Sequence, residues 1–216
     1  MGTTAEFFFL RNDGRTPEEW RAAMEEAAIF RPREWRLPHF NHREIIRPDP
    51  VLACRGDAPW LPVFDETLDY FSADPSMMPL SEAFGVPSFA FALMDSDILF
   101  VTYCDAARGI DRSYICPNSP RTEEAYGFEG DGYIRSLPEF MLEFGDWARL
   151  RAAWEEEVVL ADDRMNTLCE ILGIRPIIFE RDNIPEGYRA ICLPQQKEQK
   201  PPDNIVYFNE IFGKGE

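Results

Sequence analysis

Two apolar runs separated by three polar residues constrain this chain more than any other feature. Residues 88–94 read Ser-Phe-Ala-Phe-Ala-Leu-Met, and residues 98–103 read Ile-Leu-Phe-Val-Thr-Tyr. Between them stand Asp95, Ser96 and Asp97. In an extended chain successive side chains point to opposite faces. Phe89, Phe91 and Leu93 then face one way, and Ala90, Ala92 and Met94 the other. Both sets are apolar, the pattern of a strand buried on both sides. Asp is a turn residue because its side chain satisfies nearby amides. A connection this short permits an antiparallel hairpin and no other simple topology. Ala106-Ala107-Arg108-Gly109 supplies a second turn, and residues 110–116 a third strand. The expectation is an antiparallel meander over about 88–116.

The same reasoning extends along the chain. Residues 6–11 are a Phe-rich strand closed by Asn12-Asp13-Gly14. Thr16-Pro17-Glu18-Glu19 is a capping box with Pro at the first helical position. The helix it opens runs to about Ala28, with Trp20, Ala23, Met24, Ala27 and Ala28 on one stripe. Prolines recur between 31 and 79, which predicts irregular structure there, with short strands near 35–37 and 51–54 and a helical turn near 64–71. A short helix should end at Gly85. Residues 123–133 are acidic and Gly-rich and read as a loop. Helices follow from Ser136, from Asp146 to about Glu157, and from about Asp162 to Leu172, the last closed by Gly173. Strands are expected near 177–180, 188–193 and 205–208. Strands at both ends, a central meander and helices clustered at about 136–173 predict an α+β fold. One domain over 1–216 is expected, with an N-terminal subdomain ending near 78 as the alternative.

Composition narrows the function classes. Asp and Glu total 39 against 22 Lys and Arg, a formal charge of −17. Nucleic acid and anionic membrane surfaces are repelled by such a chain, and a basic partner is attracted. The bland alternative is that the charge serves solubility alone. No apolar run reaches the roughly 18–20 residues that span a bilayer. The N-terminus shows no signal-peptide pattern, so a cytoplasmic location is expected. Five cysteines, none at Cys-x-x-Cys spacing, read as reduced thiols that act as small hydrophobes.

From Pro79 onward the pieces resemble an uncharacterised family of bacterial proteins. They are Leu80-Ser81, Phe84-Gly85, the strand–Asp95-Ser96-Asp97–strand hairpin ending in Tyr103, Asp111-Arg112, Tyr114 and Asn118-Ser119-Pro120. Ala161-Asp162-Asp163-Arg164, Leu168 and Ile171-Leu172-Gly173-Ile174 continue the scheme. The resemblance spans about 79–174 and implies a fold but no catalytic residues. It also implies an association with small acidic bacterial proteins that serve as immunity or interaction partners.

Candidate chemistry is sparse. Asp95 and Asp97 are the best paired carboxylates, able in principle to hold a hard cation or to divide acid and base roles. Turn chemistry accounts for both without any of this. His39 and His42 are the only histidines, and Pro38 argues against the helix that would align them on a metal. Glycine-rich phosphate loops and nucleophile motifs are absent, and no cofactor is expected. Glu155, Glu156 and Glu157, followed by Asp162 and Asp163, form an acidic cluster. It reads as a solvated helix end whose two Asp cap the next helix, or as a surface for a basic partner. Trp147 and Trp154, seven residues apart on one helix face, would anchor such a partner or pack in the core. The expectation is a non-catalytic acidic binding protein that recognises a basic protein, acting as an immunity-type inhibitor. The alternatives are a metal-dependent enzyme using Asp95 and Asp97, and a mimic of nucleic-acid charge.

Overall fold

Every residue of Phe7-Phe8-Phe9-Leu10 is apolar, and a strand can bury such a run only when both its faces are covered. In the computed structural model this segment is the middle strand of a seven-stranded sheet. The structure describes residues 5–26, 35–36, 44–46, 51–64, 78–116, 134–143, 145–156, 158, 160–176, 184–192 and 206–207. The strands are β1 (Ala5–Arg11), β2 (Trp35–Arg36), β3 (Glu44–Ile46), β4 (Val51–Cys54) and β5 (Trp60–Phe64). Then come β6 (Ser88–Met94), β7 (Ile98–Asp105), β8 (Ile110–Ile115), β9 (Arg189–Cys192) and β10 (Val206–Tyr207). The helices are α1 (Pro17–Glu26), α2 (Met78–Phe84), α3 (Trp147–Glu155) and α4 (Ala161–Leu172). Short 3-10 segments cover Ala106–Arg108 and Glu139–Glu143.

The large sheet runs β8-β7-β6-β1-β5-β4-β9, and each neighbouring pair is antiparallel. It draws strands from both sides of residue 78. A three-stranded sheet, β10-β3-β2, stands apart from it. The α+β fold and the 88–116 meander are as the sequence predicts, but the hairpin is not the sheet's centre. That place belongs to β1, with β6 on one side and β5 on the other.

Helices cover both faces of the sheet. On one face Trp20 and Met24 of α1 and Leu80 and Phe84 of α2 pack with Phe8, Leu10, Ala90, Ala92 and Phe100. On the other, Phe140, Met141, Leu150, Trp154, Met165 and Leu168 pack with Phe7, Phe9, Phe89, Phe91, Leu99 and Val101. The alternation within β1 and β6 therefore divides the residues between two cores. Aromatic rings dominate the second core. Phe9 stacks on Phe89 with centroids 4.7 Å apart, Trp60 meets Phe89 edge-on at 4.7 Å, and Tyr103 stacks on Phe140 at 4.4 Å.

The helix starts and stops follow sequence chemistry. Glu19 accepts from the Thr16 amide at 2.8 Å while the Glu19 amide donates to Thr16 Oγ1 at 3.2 Å, the reciprocal capping box. Gly85 and Gly173 close α2 and α4 in the left-handed conformation, at φ 64° and 67°. Two elements differ from expectation. The helix expected from Ser136 is only the 3-10 segment Glu139–Glu143, because Pro138 in front and Gly145 behind leave too few residues for a stable α-helix. β5 lies where prolines predicted irregular chain. Its pairing with β4 covers Val63 and Phe64 and stops at Pro62, which has no N–H to offer a ladder. Phe64, the expected start of a helical turn over 64–71, instead ends β5, where it pairs with Val51; residues 65–71, 123–133 and 177–180 lie outside the described residues. Among the described residues no helix is long and apolar enough to cross a membrane.

Candidate functional site

The hairpin turn carries two consecutive left-handed residues, Asp95 at φ 51° and Ser96 at φ 60°. Two positive φ values in a row are what a mirror-image hairpin turn requires, because its twist matches that of the strands. The Asp97 amide closes the turn by donating to Met94 O at 3.0 Å. Asp95 and Asp97 project outward and are exposed, whereas Ser96 is buried.

Ser96 is buried because the turn docks on α4. Its carbonyl accepts from the Ala161 amide at 2.8 Å. The first amides of a helix lack partners within it. The residue at the cap position here is Leu160, which has no side-chain acceptor and makes no capping bond. The hairpin thus supplies from a distant part of the chain the acceptor that the local sequence lacks. The expectation that Asp162 and Asp163 cap this helix is corrected accordingly. Both lie in its first turn, where the helix dipole favours acids. Asp163 is exposed, and Asp162 turns one oxygen, Oδ2, into a buried position without a hydrogen-bond partner.

Arg164 ties the same corner together from beneath. It is only 3% exposed, and its guanidinium donates to the carbonyl of Glu156, the residue that ends α3. It also stands beside the thiol of Cys116, the residue that follows β8, where its positive charge acts against the rise that burial imposes on that thiol. Glu155 and Glu156 are exposed, and Glu155 lies 4.0 Å from Arg151 one turn back on α3. Asp95, Asp97, Glu155, Glu156, Asp162 and Asp163 are therefore gathered where the hairpin turn meets the α3–α4 junction. Glu157, His39 and His42 lie outside the described residues.

The hairpin and the acidic cluster, separate candidates in the sequence, meet at this corner, and Arg164, which is no candidate on the sequence pattern of carboxylates, lies beneath it. A signal for Arg164 was present. Ala161, Met165, Leu168, Cys169 and Leu172 form the buried stripe of α4, and Arg164 falls on it at helical spacing. A charge on an apolar stripe marks a buried polar contact. The two tryptophans separate. Trp154 is buried and its indole donates to Arg135 O at 2.9 Å, so it is core; Trp147 is 49% exposed.

The chemistry of the corner is that of fixed negative charge. Among the described residues no group of three or more His, Cys, Asp or Glu could hold a metal ion, and Asp95 and Asp97 belong to none. Four of the cysteines, Cys54, Cys104, Cys116 and Cys169, are buried and form no disulfide. Burial pushes the thiols of Cys54 and Cys169 up to about 12, away from the thiolate a nucleophile needs. Compared with family models, curated proteins and solved structures, the chain matches none. The resemblance of residues 79–174 therefore carries no family assignment.

Proposed function

We propose that this chain is a non-catalytic acidic binding protein of the cytoplasm that recognises a basic protein, in the manner of an immunity-type inhibitor. The observation that carries this reading is the docking of the hairpin turn on the α4 N-terminus through Ser96 and Ala161. It brings carboxylates from two distant segments to one corner, joined by the Ser96–Ala161 and Arg164–Glu156 hydrogen bonds. Single surface charge pairs contribute little affinity. A cluster held in place steers a cationic surface into register and speeds its approach. The net charge of −17 acts in the same direction and disfavours nucleic acid.

The test is a pull-down from the native host at low and moderate salt. The wild type is compared with a triple variant, Asp95→Asn, Asp97→Asn and Asp163→Asn. A basic protein should be captured by the wild type, with recovery reduced several-fold by the triple variant and by added salt. Recovery of no specific partner at either salt sinks the reading, as does equal capture by a folded triple variant.

A further inference from the structure

The charges of α3 run against its own dipole. A helix favours acids at its N-terminus and bases at its C-terminus. Asp146 satisfies the first condition as the N-cap, accepting from the amides of Ala148 and Arg149. Beyond it, Arg149 and Arg151 come first, Glu155 and Glu156 come last, and the final turn holds no base. Arg151 and Glu155 are spaced i,i+4 in the weaker order, base before acid. They are 4.0 Å apart and more than half exposed, at 53% and 65%. Such a pair adds little within one helix.

An apolar side chain, Trp147, stands one turn before Arg151 on that helix. Trp147 and Leu160 are the large exposed hydrophobic residues among those described, at 49% and 44%. The Arg151 guanidinium covers the Trp147 ring from 4.2 Å. Ala148 and Ala152, both exposed, keep the outer surface low between them.

We propose that α3 pairs antiparallel with α3 of a second copy of this chain, about a twofold axis passing near Ala152 and Ala153. A twofold contact uses the same patch on both partners, so the patch must complement itself. This one does. The axis sets Arg151 against the partner's Glu155 and Glu155 against the partner's Arg151. It carries Trp147 past the C-terminal end of the partner's α3 and removes part of its exposed ring from water. The helix dipoles oppose, and each arginine-bearing end meets an acidic end. Tryptophan and arginine are the residues that concentrate binding energy at interfaces. The contact is weak, because a nine-residue helix is only about 13 Å long and cannot by itself bury the roughly 1,200 Å² of a stable complex. It shares Glu155 with the acidic corner, but it is tested without any partner and on variants that leave Asp95, Asp97 and Asp163 in place.

Sedimentation velocity of the purified full chain, from about 10 to 500 µM in about 0.15 M salt, reads the association directly. The wild type should move from monomer toward dimer over that range. Arg151→Glu should weaken association about tenfold or more, and Trp147→Ala likewise. The double variant Arg151→Glu, Glu155→Arg should restore it, because the exchanged charges again face each other across the axis. The positions substituted here are on the surface, so the fold is expected to persist, and thermal melts confirm it. A wild type that stays monomeric throughout overturns the proposal. So does Arg151→Glu associating as tightly as the wild type, or a charge exchange that fails to restore what the single variant lost.

Discussion

At the scale of the residue, the hairpin turn holds Asp95 and Ser96 where side chains beyond glycine rarely sit. Left-handed backbone costs an L-residue roughly 1–2 kcal/mol. Asp tolerates it through local hydrogen bonds; Ser does so less readily. Ser96→Val, which adds a β-branch to the strained position, should lower stability by about 1–2 kcal/mol. Ser96→Gly should not lower it, because the backbone relief offsets the lost hydroxyl. Urea denaturation of the two variants measures the difference, and equal loss in both would show that the side chain, rather than the backbone angle, sets the cost. The position of the turn was legible because Asp95 and Asp97 interrupt an apolar run. The burial of Ser96 was not, because it depends on α4, which lies more than sixty residues further along the chain.

At the scale of the element, the buried stripe of α4 seats it on the sheet, and contacts at its first turn fix where it begins. The Ser96 carbonyl caps Ala161, and Arg164 bonds the end of α3. Removing the buried guanidinium leaves a void and an unpaired carbonyl together. Arg164→Ala should therefore cost about 3 kcal/mol, and Arg164→Met less, since it keeps the volume while losing the donor. Thermal melts rank the three proteins; a methionine variant as unstable as the alanine variant would place the whole effect in the hydrogen bond. The contrast between helices shows what sequence can carry. The starts of α1 and α3 were legible from Thr16 and Asp146, whose side chains cap locally. The extent of α4 was legible to within a residue, but its cap was not, because the acceptor comes from another element. β5 was hidden for a related reason. Pro62 reads as a strand breaker until the ladder beside it is seen to stop at Val63. The central place of β1 depends on the order in which distant strands pair, and no local pattern encodes it.

At the scale of the whole molecule, two apolar layers hold thiols whose ionisation is opposed by burial. Burial pushes Cys54 and Cys169 up to about 12. It pushes Cys116 up as well, although Arg164 beside it acts in the opposite direction. An unfolded thiol titrates near about 8.5. Between these values the unfolded chain has lost protons that the native chain still holds, so stability falls as pH rises. The stabilising difference is complete below about pH 8.5 and is lost progressively as pH climbs through the native values. Each buried thiol contributes a slope of at most about 1.4 kcal/mol per pH unit in that window. Raised Tyr103, Tyr114 and Tyr188 add to it above about pH 10, since burial is the leading cause in each. The urea midpoint in the presence of reductant should therefore drop steadily from about pH 8 to pH 10. Cys169→Ala should flatten that drop by about one proton's worth, whatever it does to stability at neutral pH. This separates the thiols from the growing repulsion of a −17 chain, which the substitution leaves in place. A midpoint independent of pH over this range, or a Cys169→Ala slope equal to the wild type's, would mean that water reaches Cys169 in the native state and that the layer formed by α3 and α4 opens far more readily than its packing against β6 and β7 implies.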